Sequence, residues 1–260
     1  MAMLLDSLFY NAWLSGLCLS IFLPLLGLYL RLREEWLAAL GLAQMSAASG
    51  LIGYGLGLPI LTGGSVGAVL MAVIKQWTHG NNTAYALMLI AGWSLTFLVA
   101  ANTTLGESLG HALMNGQLYF VTLTHSLAAM ALLLVGGGFL IMARQRLLRA
   151  QLFPHYQQLN DPQAKRWHLS FDVLVAITMA AATSSVGLMT AFAMVFVPAW
   201  LAFRIAGSWR WATGLAMAFG ALGFIVGFSL AVLLDQPYGP CQVAVYLVLA
   251  GTTLALPKRT

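Results

Sequence analysis

Residues 8–33 read LFYNAWLSGLCLSIFLPLLGLYLRLR. From Leu8 to Leu30 the run holds no charged side chain, and it stops at Arg31 and Arg33. About 20 apolar residues in a helix cross the hydrocarbon core of a bilayer. These 23 residues are enough, so the run is read as a membrane span rather than a core helix. The rest of the chain has to be read in the same solvent. It is 60% hydrophobic and only 7% charged, against roughly 25% charged in soluble domains. So few polar residues leave no way to cover a water-facing surface.

Apolar runs recur to the end of the chain, separated by short polar breaks. They are continuous, whereas a β-barrel shows alternating segments of about ten residues. The expected fold class is therefore all-α: a polytopic transmembrane helix bundle, one domain over residues 1–260. Spans are predicted near 8–30, 36–56, 58–75, 84–102, 118–142, 169–185, 187–205, 211–234 and 240–256. That is roughly nine, with eight or ten also compatible with the tight spacing. No cleavable signal is expected, because residues 1–7 lack a positive start. Cys18 and Cys241 are too few for a disulfide framework or a zinc site and are read as packing residues.

The basic residues orient the bundle. Arg31, Arg33, Lys75, Arg144, Arg146, Arg149, Lys165, Arg166, Arg204, Arg210, Lys258 and Arg259 all fall on one side of a nine-span chain. The positive-inside rule makes that side cytoplasmic. The amino terminus is then outside and the carboxyl terminus cytoplasmic. The outer breaks carry Asp6, Glu107 and Asp235 and no basic residue. The basic pI thus reports topology, not nucleic acid.

Small residues recur every four positions at Ser49, Gly53 and Gly57, at Ala216 and Gly220, and at Gly223 and Gly227. Such spacing forms grooves for close helix approach. It predicts a compact bundle with a helix–helix oligomer interface. The one sizeable cytoplasmic segment is ARQRLLRAQLFPHYQQLNDPQAKRWH, residues 143–168. Asn160-Asp161-Pro162 is a helix-start signal, a capping residue ahead of a proline at the first helical position. A short helix from Pro162, lying across the cytoplasmic face, is expected; a basic loop that only anchors topology is the alternative.

Chemistry of other kinds is absent. No P-loop motif occurs, and none of the three lysines follows a glycine. There is no HExxH, and His79, His111, His125, His155 and His168 are not at zinc-ligand spacing. The chain reads as a pathway or a scaffold without a nucleotide site or cofactor of its own.

Residue order says more. Asp161-Pro162-Gln163-Ala164 resembles an Asp-Pro-x-x-Ala loop, with the alanine one place early. VGLMTAFAMVFVPAWLA places Pro198-Ala199 and Ala202 after Val186-Gly187. Asp235-Gln236-Pro237-Tyr238-Gly239 is similar to Asp-x-Pro-x-Gly, and Asn115-Gly116-Gln117-Leu118 to Phe-Gly-x-Ile. LGLYLRLREEWLAALGLAQMSAASG resembles a basic turn followed by Gly-Asp-x-x-Ser/Ala-His-x-x-x-x-Gly. In this order, over nearly the whole chain, these motifs resemble the permease subunits of ATP-binding-cassette importers for zinc, manganese and iron.

That resemblance implies a homodimeric pore in the bacterial cytoplasmic (inner) membrane. It implies a separate cytoplasmic ATPase subunit that carries ATP and Mg²⁺, and a periplasmic or surface solute-binding protein. Asp161, Pro162, Gln163, Ala164, Lys165 and Arg166 would then dock into the ATPase. Aligned on Gly50, the family's aspartate falls on Gly41 and its histidine on Met45, with Gln44 just before. Carboxylate and imidazole suit Zn²⁺ or Mn²⁺, whereas a thioether prefers soft ions such as Cu(I). Gln44 and Met45 are therefore read three ways: as packing, as lining a pathway for a chelate or other solute, or, through Met45, as a soft-metal ligand.

Asp172 is placed about one turn inside the sixth span. It is either a pathway carboxylate or an anion at a helix amino terminus. His125, two turns inside the fifth span, either bonds across helices or lines the pathway. Glu107 and His111, one helical turn apart, are either an entry point for substrate on the outer face or part of a solvated loop. Besides the importer, two readings remain: a proton-coupled secondary transporter using Asp172 or His125, and a non-transporting membrane scaffold.

Overall fold

The computed structural model describes residues 9–77, 82–103, 106–116, 118–152 and 164–254. Every regular element among them is helical: α1 (Tyr10–Leu32), α2 (Trp36–Gly55), α3 (Ile60–Trp77), α4 (Asn82–Ala101), α5 (Gly106–Asn115), α6 (Leu123–Ala131), α7 (Gly137–Leu152), α8 (Ala164–Val186), α9 (Leu188–Ile205), α10 (Trp209–Leu233) and α11 (Tyr238–Leu254). A 3₁₀ turn, Leu118–Phe120, precedes α6, and a π-helical turn, Leu132–Gly136, joins α6 to α7. Each of the nine apolar runs is helical, and seven described segments are long and apolar enough to cross a membrane. The chain is a polytopic helical membrane protein.

α1 is the central helix. It packs against α6, α8, α9 and α10, and 72% of its span window is buried, against 28% for α4. The close approaches are made by glycine. A Cβ at Gly27 would overlap the Val195 carbonyl of α9, and one at Gly220 of α10 would overlap the Ser20 carbonyl of α1. The small-residue stripes are thus used inside the chain. Gly63 of α3 sits against Ser49 and Gly53, Gly223 against the Tyr246 ring, and Gly227 against Gln242. Gly57 is not part of a stripe; with φ +82° it makes the turn between α2 and α3.

The turn between α1 and α2 is a Schellman motif. The Glu35 amide donates to the Leu30 carbonyl at 2.9 Å and the Glu34 amide to Arg31 at 3.0 Å. Glu34 takes the left-handed position at φ 56°, where glycine is usual. This tight reversal brings Arg33 and Glu35 side by side on the inner face of the turn.

Two expectations change. Residues 106–115 form helix α5, not a solvated loop, because Leu109, Leu113 and Met114 give it an apolar face that meets the core. The described parts of the 143–168 segment are also helical. α7 runs on to Leu152, and α8 passes from Ala164 into its span without a break. The part of the expected short helix that lies in the described residues is therefore the first turn of a spanning helix. Trp167 pins that turn to α7, with its ring stacked on Phe139 at 5.8 Å and under the Arg146 guanidinium at 4.6 Å.

Candidate functional site

At the end of the bundle where α1, α3 and α7 finish, four charged side chains meet. Arg33 Nη1 lies 3.0 Å from Asp172 Oδ1, and Arg33 Nη2 lies 2.8 Å from Glu35 Oε2. Lys75 Nζ lies 2.9 Å from Glu35 Oε2 and 2.9 Å from Asp172 Oδ2. Each cation bridges both anions, so the four form a closed, charge-balanced circuit. It is nearly dry: the Asp172 side chain is 4% exposed and that of Glu35, the wettest, 20%. Burial alone would pull the Arg33 guanidinium down, but Asp172 and Glu35 together hold it above its ordinary value. Aromatic faces close the circuit's flanks, Phe171 beneath Arg33 at 5.1 Å and Tyr85 of α4 beneath Lys75 at 5.4 Å.

This corrects the reading of Asp172. α8 begins at Ala164, so Asp172 is two turns in and is not an anion at a helix amino terminus. It faces Arg33 and Lys75. Arg33, Glu35 and Lys75 were not among the residues singled out from sequence. Their signal was present: a carboxylate inside an apolar run and basic residues at the same membrane depth have to find one another.

The other candidates do not gather around this circuit. Gln44 is 2% exposed and pressed against Gly92 of α4, where an added Cβ would sit 2.8 Å from that of Gln44. Its amide oxygen is buried without a hydrogen-bond partner among the described residues. Met45, next to it, borders an open groove of about 470 Å³ between α2, α3 and α4, with Met71 and Met88 beside it. Gly41 faces α4: a Cβ there would stand 3.1 Å from the Tyr85 carbonyl oxygen and 3.3 Å from the Met88 Cβ. A side chain at Gly41 would therefore press on α4, which would have to give by a few tenths of an ångström.

His125 lies in the first turn of α6, not two turns inside a span, because the chain is extended at Thr122 before the helix starts. Its Nδ1 is 2.8 Å from the Thr122 hydroxyl, a local contact rather than one across helices. It borders a cavity of about 530 Å³ with Tyr54, Thr124 and Ser184. His111 is exposed on α5 and opens instead onto a cavity of about 600 Å³ beside Trp93, Met189 and Pro240. Glu107 lies on α5, but its side chain is outside those described. Asp161, Pro162 and Gln163 are outside the described residues, and Ala164 opens α8. Lys165 and Arg166 are exposed on the first turn of α8. Among the described residues, no three His, Cys, Asp or Glu side chains cluster as a metal site.

Residues 6–256 match the ABC 3 transport family. The chain belongs to that family. The match spans all the described helices. Among relatives, the chain is 24% identical over 249 residues to the high-affinity zinc uptake system membrane protein ZnuB of Haemophilus influenzae, covering 90% of this chain and 92% of that one. It is 21% identical over 205 residues to the chelated iron transport system membrane protein YfeD of Yersinia pestis, covering 75% of this chain and 67% of that one. Its fold is similar to that of PsaBC from Streptococcus pneumoniae in complex with Fab, with a TM-score of 0.83 at 19% identity over 95% of this chain and 91% of that one. As an ABC 3 protein the chain is a membrane permease component.

Proposed function

We propose that this chain is the membrane-spanning subunit of an ATP-driven importer for a metal ion or metal complex. The observation that carries the reading is the family match over residues 6–256, supported by two relatives whose names specify zinc and chelated iron transport. In this reading the chain crosses the inner membrane of a bacterium about nine times, with its amino terminus outside and its carboxyl terminus in the cytoplasm. Two copies form the pore. ATP and Mg²⁺ act on a separate ATPase, which docks on the segment from Asp161 to Arg166. A solute-binding protein delivers cargo near His111 on the outer face.

The cargo reading follows from α2. With Gly41 packed on α4 and a thioether at Met45, this helix lacks the carboxylate and imidazole that hold a hard divalent ion. A metal already wrapped in a chelator needs no such ligands and suits this chemistry better than bare Zn²⁺ or Mn²⁺. The test is uptake by proteoliposomes holding this chain with the ATPase and binding protein encoded beside it. Bare Zn²⁺ and Mn²⁺, and ferric iron in a chelate, are offered separately. ATP-dependent accumulation of the chelate is expected. Uptake driven by a proton gradient without ATP would instead make the chain a secondary transporter.

A further inference from the structure

We infer that the Arg33–Glu35–Lys75–Asp172 circuit is the positioning device that makes α2 move with the ATPase-facing end of α8. The inference rests on the importer reading above and adds to it four residues with a role in coupling. Its starting point is connectivity. Asp172 is eight residues beyond Ala164, about 12 Å along the helix from its exposed first turn. Its two carboxylate oxygens hold different partners: Oδ1 takes Arg33 from the turn between α1 and α2, and Oδ2 takes Lys75 from the end of α3. Glu35, the residue from which α2 starts, closes the circuit on both cations. Its side chain makes no capping bond to its own helix, so the carboxylate serves the circuit.

The chemistry makes the link stiff. Moving α8 away from α2 would break the Arg33–Asp172 and Lys75–Asp172 pairs together and leave unpaired charges in a dry site, which is costly. Moving the helices as a unit breaks neither. Stability alone does not call for this arrangement, because well-packed apolar residues commonly replace a buried ion pair at no loss. What the charges provide is a connection between specific helices. α8 carries the segment proposed to meet the ATPase. α2 carries Gln44 and Met45, nine and ten residues beyond Glu35, about 15 Å along the helix. A displacement at the docking end therefore reaches the pathway helix through two pairs of charges, alongside the direct packing of α8 on α2 and α3.

The test compares the wild-type complex with the charge-balanced double variant Lys75→Gln, Asp172→Asn, which keeps the Arg33–Glu35 pair and creates no unpaired charge. Spin labels at Ser170 on α8 and Leu56 at the far end of α2, both exposed, report whether the helices move together when the ATPase is trapped with ATP and vanadate. The wild-type distance should stay constant and that of the double variant should change. In proteoliposomes the variant should still hydrolyse ATP while cargo moved per ATP falls about tenfold or more. Equal label behaviour in the two proteins, or wild-type transport per ATP in the variant, would overturn the proposal. Where the double variant does not assemble, Glu35→Asp keeps every charge and shortens one arm, and the same two outcomes apply to it. The label measurement needs no cargo. A wild-type complex that imports nothing offered would thus count against the importer reading and leave the coupling result standing.

Discussion

Arg33 and Asp172 are 139 residues apart in the chain and 3.0 Å apart in the fold. Neither tolerates the loss of the other, because each is nearly dry. Asp172→Asn leaves two cations facing one carboxylate and is expected to cost about 3–5 kcal/mol. Replacing Lys75 and Asp172 together, Lys75→Met with Asp172→Leu, removes one cation with the anion and should recover most of that loss. Thermal unfolding of the detergent-solubilised protein measures both. A single variant as stable as wild type would show that the circuit is not desolvated.

Gly41→Asp puts back the family's carboxylate and should not restore a site for a hard metal. The added side chain meets the Tyr85 carbonyl oxygen and the Met88 Cβ, so α4 has to shift, at about 1–3 kcal/mol. Met45→His opens onto a groove and should be tolerated. Calorimetric titration with Zn²⁺ should find no tight site in either single variant. Tight, stoichiometric binding by the Gly41→Asp protein would show that the packing there is soft.

Glu34 holds a left-handed backbone that costs a side-chain-bearing residue roughly 1–2 kcal/mol. Glu34→Gly should therefore be neutral or stabilising, while Glu34→Val, with a branched Cβ, should lose about that amount or more. The order of melting temperatures, Gly at or above Glu and Val lowest, is the check. A Val variant equal to wild type would contradict the turn geometry.

Gly220 and Gly214 lie on the same helix and predict opposite outcomes. A side chain at Gly220 runs into the Ser20 carbonyl of α1, whereas nothing lies within 4 Å of one placed at Gly214. Gly220→Leu should destabilise by about 3 kcal/mol or more and reduce the folded protein recovered from membranes. Gly214→Leu should be recovered at the wild-type level. Equal recovery of the two would mean that α10 does not pack on α1 as described.

Span positions were legible because the bilayer imposes one length and one polarity on every crossing, so uncharged runs between polar breaks mark the helices directly. α5 was not legible, since its ten residues are too few to stand out against a polar break. The start of α6 was misplaced because LYFV before Thr122 is as apolar as the helix it precedes. The family was legible through motif order. The ion circuit was not, although every member lay in view. Arg33 and Lys75 already had an explanation as topology signals, and only the fold reveals that the inner end of α8 meets the turn after α1. Gly41 could be read as a lost ligand, but its contact with α4 belongs to packing and leaves no mark in sequence spacing.

The central place of α1 has a consequence for how the protein is made. This helix precedes the other described helices in the chain, and two of its main neighbours, α9 and α10, are synthesised well after it. Until they arrive it stands in lipid with hydroxyls that no other helix can satisfy. Its two serines need none: Ser15 donates to the Asn11 carbonyl at 2.7 Å and Ser20 to that of Leu17 at 2.9 Å, both within the same helix. α1 thus enters the membrane with its serines already satisfied and its glycine faces bare, until those later helices close around it.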